Sequence, residues 1–116
     1  MMNKNFWCLF FASLVMIPLC SAQNYPTKPV RIIVPFAPGG SADGTIRPIA
    51  EKLTELLGQS FVVENRPGGI ATIGGSIVAK AEPDGHTLLV MPGTHVLTPK
   101  MMTSVPFHPF NDFTPI

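Results

Sequence analysis

A chain of 116 residues with eight Lys and Arg against seven Asp and Glu has a formal net charge of +1. That balance supplies no basic field for nucleic acid or an anionic membrane surface. Both cysteines, Cys8 and Cys20, precede residue 23, so the remainder can build neither a disulfide framework nor a thiolate metal site.

The chain opens with a cationic Lys4, an apolar run over 6–19 and the small residues Cys20-Ser21-Ala22. This is the pattern of a secretory signal peptide cut after Ala22, and it predicts a periplasmic location. The run is shorter than the roughly 20 residues needed to cross a bilayer, although an uncleaved anchor is the other reading. Bulky Leu19 argues against lipid attachment at Cys20. The expected division is 1–22 signal peptide and 23–116 folded part, the latter with seven basic and seven acidic side chains.

A proline-rich lead-in over 25–29 ends at the run 30–34, whose unbroken Val and Ile content fits a strand buried on both faces. Pro35, Pro38, Gly39 and Gly40 terminate it. The next segment is expected to be helical to about Leu57, with Ile46, Ile49, Ala50, Leu53, Leu56 and Leu57 at helical spacing and Gly58 as its stop. Pro48 interrupts it, and predicts either a kink or a separate turn over 43–47. A second strand is expected over 61–64 and a second helix over 70–81, with Gly74 and Gly75 permitting close packing. Pro83-Asp84-Gly85 forms a turn into a third strand over 87–91. One or two helical turns are expected over 95–102, then a proline-rich loop over 104–115.

These elements predict an α/β fold: a parallel sheet with βαβαβ units. Two full helices leave such a sheet incompletely covered, and the final Asp112-Phe113-Thr114-Pro115-Ile116 reads as a turn into another strand. The expectation is therefore the opening portion of a larger protein.

The strand, glycine-rich turn and helix start recur, which gathers backbone N–H groups and helix dipoles at one sheet edge. That arrangement suits a small anion. In the first copy, Gly39 and Gly40 can turn their amides into a nest and Ser41 can cap the helix, or the loop is an ordinary strand-to-helix turn. No Gly-Lys-Ser/Thr follows and the glycines lack dinucleotide-fingerprint spacing. Asp43 in the first helical turn fits a structural role, since no acid, base or metal ligand beside it completes a catalytic set. Arg66 could clamp a carboxylate, but an ion pair with Glu64 is the favoured reading, which leaves the Gly68 and Gly69 amides for ligand contact. His86, His95 and His108 are too irregularly spaced for a metal site. His86 is expected at the surface and His95 near the pocket. Neither Ser41 nor Ser76 lies in a Gly-x-Ser-x-Gly elbow. No catalytic, metal or cofactor site is expected.

Taken together, Tyr25-Pro26-x-Lys28-Pro29-Val30-Arg31-Ile32-Ile33-Val34-Pro35-Phe36, Pro38-Gly39-Gly40-x-x-Asp43, Arg47, Leu57-Gly58-Gln59, Val63-Glu64-Asn65-Arg66-Pro67-Gly68, Ile73-Gly74, Pro83-Asp84-Gly85-x-Thr87-Leu88-Leu89, Gly93-Thr94-His95 and 112–116 resemble the Bug-type receptors. These are the extracytoplasmic solute-binding proteins of tripartite tricarboxylate transporters. The resemblance implies a two-lobed periplasmic-binding-protein fold, of which this chain is an incomplete first lobe. It also implies a tricarboxylate, dicarboxylate or acidic amino acid as ligand and the membrane components of the transporter as partners. Ligand contacts carried over are Phe36, Gly39, Gly40, Ser41, Asp43, Gly68 and Gly69, with Thr94 and His95 from the third loop. One departure is a run of Gly69-Ile70-Ala71-Thr72 where family members often have further glycines. A β-branched Ile70 resists a left-handed backbone, so if that position needs one this loop is expected to differ. The competing readings are a small α/β enzyme and a truncated product without function.

Overall fold

Val30–Val34 forms strand β1, and only Arg31 of its five residues is exposed. In the computed structural model, which describes residues 24–116, β1 is central to a three-stranded sheet. Its neighbours are β2 (Phe61–Asn65) and β3 (Thr87–Leu89), both parallel to it, in the order β2-β1-β3. The signal-peptide expectation over 1–22 lies outside the described residues. No helix among those described is long and apolar enough to cross a membrane.

Helix α1 (Ser41–Leu57) links β1 to β2, and α2 (Thr72–Ala79) carries the chain back from β2 past β1 to β3. Because right-handed crossovers are the rule and the two steps run in opposite directions, the helices take opposite faces of the sheet. On one face Val30, Ile32 and Phe61 pack with Ala50 of α1, flanked by Ile46 and Leu53. On the other, α2 approaches through glycine: a Cβ at Gly74 would lie 2.8 Å from Pro35 Cβ, and one at Gly75 would lie 2.6 Å from Phe107 Cε1. Phe107, itself buried, stacks edge-on against Phe113 at 5.4 Å between ring centroids.

Pro48 does not break α1. It sits on the solvent side, as does Gly44 four residues earlier, so the carbonyl deprived of its N–H partner faces water. Gly58 ends the helix in the left-handed region at φ +70°, donating to Thr54 O at 3.0 Å. The Thr54 hydroxyl donates to Ala50 O (2.8 Å) and accepts the Phe61 N–H (3.0 Å), which ties the helix end to the start of β2.

Several boundaries differ from expectation, and β2 runs one residue further, to Asn65. α2 begins at Thr72 rather than residue 70 because Ile70 (φ +50°) and Ala71 (φ +69°) are left-handed, and it ends at Ala79. β3 stops at Leu89; the Val90 N–H still reaches Ile33 O at 3.0 Å, but Pro92 has no N–H to continue the ladder. The expected turns beyond it are a 3₁₀ turn (Gly93–Leu97) and the short helix α3 (Thr98–Met101), with Pro99 in its first turn, where a missing N–H does no harm.

His86 is not at the surface: only 8% of it is exposed. Its Nε2 accepts the Thr27 N–H at 3.2 Å, and its Nδ1 lies 3.0 Å from Asp84 O. Both ring nitrogens thus have a hydrogen-bond partner. Tyr25 packs edge-on against the ring and donates its hydroxyl to Gly85 O at 2.6 Å. His86 thus fastens the lead-in to the turn before β3, a need for an acceptor that the sequence alone does not reveal.

Candidate functional site at the carboxyl edge of the sheet

Parallel pairing places the loops after β1 and β2 on the same edge. Val34 and Asn65 are register partners, and the Arg66 N–H donates to Val34 O at 2.8 Å. A cleft of about 1010 Å³ opens there. Phe36, Gly39, Gly40 and Ser41 line one side of it. Its apolar wall comes from Ile46 and Ile49 of α1 and from Val90 and Met91 beyond β3. It lies between β1 and β3, where the chain's two crossovers diverge, the topological position at which open α/β sheets bind ligands.

Gly39 takes φ +82°, which only glycine adopts without cost, and Gly40 is the N-cap of α1. Ser41 is therefore the first helical residue and not the cap, and its side chain makes no capping bond. The capping role falls to Asp43 in the third helical position. Its Oδ2 accepts the Gly39 N–H (2.9 Å) and Arg47 Nε (2.9 Å), and its Oδ1 accepts Asn65 Nδ2 (2.9 Å). Asp43 is 4% exposed. The Arg47 guanidinium, then the Gly39 amide and Asn65, hold its carboxyl well below the usual carboxylate range against the opposing effect of burial. Asp43 is therefore a buried anion, neutralised by Arg47, beneath a helix start whose amides on Ser41, Ala42 and Asp43 have no helical acceptors.

The second loop is built differently. Gly68, Gly69, Ile70 and Ala71 all have positive φ, at 123°, 56°, 50° and 69°. Ile70 takes the left-handed backbone that a β-branched side chain resists. The turn is closed by Thr72, whose amide (3.0 Å) and hydroxyl (2.6 Å) both donate to Gly69 O. Gly68 and Gly69 are exposed on this loop but do not line the cleft. Thr94, exposed, and His95 lie in the 3₁₀ turn after β3. The structure thus joins Phe36, Gly39, Gly40 and Ser41 in one cleft, sets Asp43 under it, and leaves the other candidates on adjoining loops.

Arg66 pairs with Glu64 as expected, Nη2 to Oε2 at 3.0 Å. Arg31 grips the same carboxylate in bidentate fashion at 2.7 and 3.0 Å and, with help from Arg66, holds it down to about 2. Among the described residues no three His, Cys, Asp or Glu side chains gather as metal ligands.

Arg47 and Asn65 enter the site as structural partners. The four-residue spacing of Asp43 and Arg47 on a helix is a readable ion-pair signal. Asn65 contacts Asp43 across 22 positions and has no local signature.

A parallel α/β sheet with helix-start amides at its carboxyl edge is the architecture of periplasmic solute-binding proteins, and similar solved structures bear this out. The structure of the periplasmic binding protein BugD superposes with a TM-score of 0.74 at 40% identity, over 79% of this chain and 31% of that one. MatC from Rhodopseudomonas palustris with bound malate gives 0.72 at 39% identity, over 78% and 31%. Protein BugT of Bordetella pertussis is 38% identical over 110 residues, 93% of this chain and 34% of BugT. Residues 45–116 match the family model of the tripartite tricarboxylate transporter family receptor, TctC. The chain belongs to this receptor family. It spans about a third of the length of such relatives.

Proposed function

We propose that this chain is the N-terminal part of a periplasmic receptor, exported by a signal peptide over 1–22. It takes a small carboxylate at the carboxyl edge of its sheet for delivery to the membrane components of a tripartite tricarboxylate transporter. The observation that carries the reading is the first loop. A helix N-terminus with free amides faces a cleft, while the one carboxylate nearby is buried and neutralised, so an incoming anion meets donors and a helix dipole without a competing charge. Gly40 and Ser41 are the direct contacts in this reading, with Phe36 and Gly39 shaping the rim. Gly68, Gly69, Thr94 and His95 approach from the adjoining loops, with waters able to bridge the gaps. Malate bound to MatC supports a dicarboxylate of similar size as the ligand.

Binding without bond making is the activity of this reading. Asp43, the acid beside the cleft, is committed to three donors, which supports a structural role over acid–base work. The test is an amide NMR titration of the chain with malate and citrate. The reading expects saturable shifts confined to the amides of 39–42 and 68–69. Shifts absent with every carboxylate tried would count for a product without binding function, and hydrolysis or turnover of an added ester or acid would count for the enzyme.

A further inference from the structure

Three polar capacities of the Asn65 side chain are all occupied, and each goes to a different part of the site. Its Nδ2 donates to Phe36 O at 3.1 Å and to Asp43 Oδ1 at 2.9 Å, and its Oδ1 accepts from Arg47 Nη2 at 3.0 Å. An amide group that spends two N–H bonds and its carbonyl this way is fixed in orientation. Asn65 is also the last residue of β2 and directly precedes the second loop, so its backbone belongs to one anion-facing loop while its side chain holds the other.

The Gly39 amide has a consequence of its own. It is consumed by Asp43 Oδ2, so it cannot donate to a ligand. Its bond instead bends the loop over the helix start. Gly40, Ser41 and Ala42 border the cleft, the last two with amides that have no helical acceptor, and the placement of these amides depends on where the Phe36 carbonyl and the Asp43 carboxylate are held.

We propose that Asn65 is the positioning residue of the site: it clasps the Phe36 carbonyl and the Asp43 carboxylate together, so that the loop over 36–40 presents the amides of 40–42 to the ligand in a fixed array. The proposal rests on the carboxylate-binding reading above and adds to it the residue that preorganises the array. Asn65 does not touch the ligand; it acts through Phe36 and Asp43. A preorganised site loses less freedom on binding, so loosening the clasp weakens affinity without removing any ligand contact.

The experiment compares three variants of the full chain. Asn65→Ala removes the clasp. Asn65→Asp keeps side-chain size and the Arg47 pairing but has no N–H for Phe36 or Asp43. Thr54→Val is the control: it removes the hydroxyl joining α1 to β2 at the far end of the helix, a comparable loss of hydrogen bonds remote from the cleft. Hydrogen exchange at the Gly39 amide is read without ligand, and malate affinity by NMR titration. Both Asn65 variants are expected to speed Gly39 exchange about tenfold relative to the strand amides, and to weaken malate by about tenfold, the size of one lost hydrogen bond. Thr54→Val is expected to lower the melting temperature while leaving Gly39 exchange and malate affinity as in the wild type. Asn65 variants that lose stability like Thr54→Val, with Gly39 exchange unchanged, would overturn the proposal. A wild type that binds no malate or citrate would fail the functional reading, while Gly39 exchange would still decide whether the clasp exists.

Discussion

The two loops at the carboxyl edge reach similar ends by opposite means. The first uses glycine where its backbone is left-handed, at Gly39, and fixes itself with a buried carboxylate, paired to a half-exposed Arg47, and an asparagine from a strand. The second runs four successive residues through positive φ, two of them with side chains, and relies on Thr72 and on an exposed ion pair at Glu64. One loop is held by side-chain chemistry and the other by backbone chirality forced against preference. The difference predicts that they respond in opposite directions to the same kind of substitution.

The strongest way to break the comparison is at Gly74, which stands between the loops. A Cβ there would meet Pro35 at the root of the first loop and lie 3.2 Å from Arg66 O at the root of the second. Backbone and a proline ring cannot swing aside as a flexible side chain does. Gly74→Val is expected to destabilise by roughly 2–3 kcal/mol and to disturb the amide shifts of both loops together. Shifts confined to the second loop would mean that the first is independent of α2.

Asp43 tests the first loop alone. Asp43→Ala leaves the Gly39 N–H, Arg47 and one Asn65 N–H without their shared acceptor. The melting temperature is expected to fall by on the order of 5–10 °C, with amide changes around 36–42 and the 68–71 amides little altered. Thermal unfolding together with an amide correlation spectrum reads both. A uniform change across the sheet would show that Asp43 supports the fold and not the loop in particular.

What the sequence disclosed follows the range of the interactions. The run at 30–34, the stop at Gly58 and the Arg66–Glu64 pair are local signals, and the structure realises all three. Parallel pairing followed from unbroken apolar strands separated by helices. Three features were out of reach, the first two because their causes are distant and the third because it runs against local preference. Asp43 takes the cap from Ser41 only because Asn65 and Arg47 fix its carboxylate. His86 is buried because Thr27, 59 positions away, needs an acceptor. Ile70 is left-handed although β-branched residues avoid that region, because the turn into α2 is set by its neighbours and by Thr72 closing on Gly69.

Ile70 also gives a prediction of opposite sign. A left-handed backbone costs an ordinary residue about 1–2 kcal/mol, and glycine gives part of that back through the greater freedom of the unfolded chain. Ile70 is 60% exposed, so little burial is lost. Ile70→Gly is expected to raise the melting temperature by about 2–4 °C, whereas Gly39→Ala, placing a side chain at φ +82°, lowers it. Calorimetry of the two variants side by side checks the contrast. Destabilisation by Ile70→Gly would mean that its side chain packs in a way its exposure does not suggest.

The smallest effect separates the two ion pairs by their surroundings. Glu64 is depressed in the folded chain from an ordinary 4.5 to about 2, first by Arg31 and then, after burial's opposing effect, by Arg66. A depressed carboxylate stabilises fully above its unfolded value, and the contribution disappears as pH falls from about 4.5 toward 2. Both arginines are about half exposed, so water and salt screen the interaction, and its worth is about 0.5–1 kcal/mol. Glu64→Gln is therefore expected to lower the melting temperature by a few degrees at pH 7, to converge with the wild type near pH 2, and to lose most of its effect in molar salt. Arg47 is as exposed as those arginines, but the Asp43 carboxylate is more buried than that of Glu64 and also accepts the uncharged Gly39 and Asn65 N–H groups, so Asp43→Ala should keep more of its effect in the same salt. Equal salt sensitivity of Glu64→Gln and Asp43→Ala would remove the distinction between a loop fixed from within and a loop braced from outside.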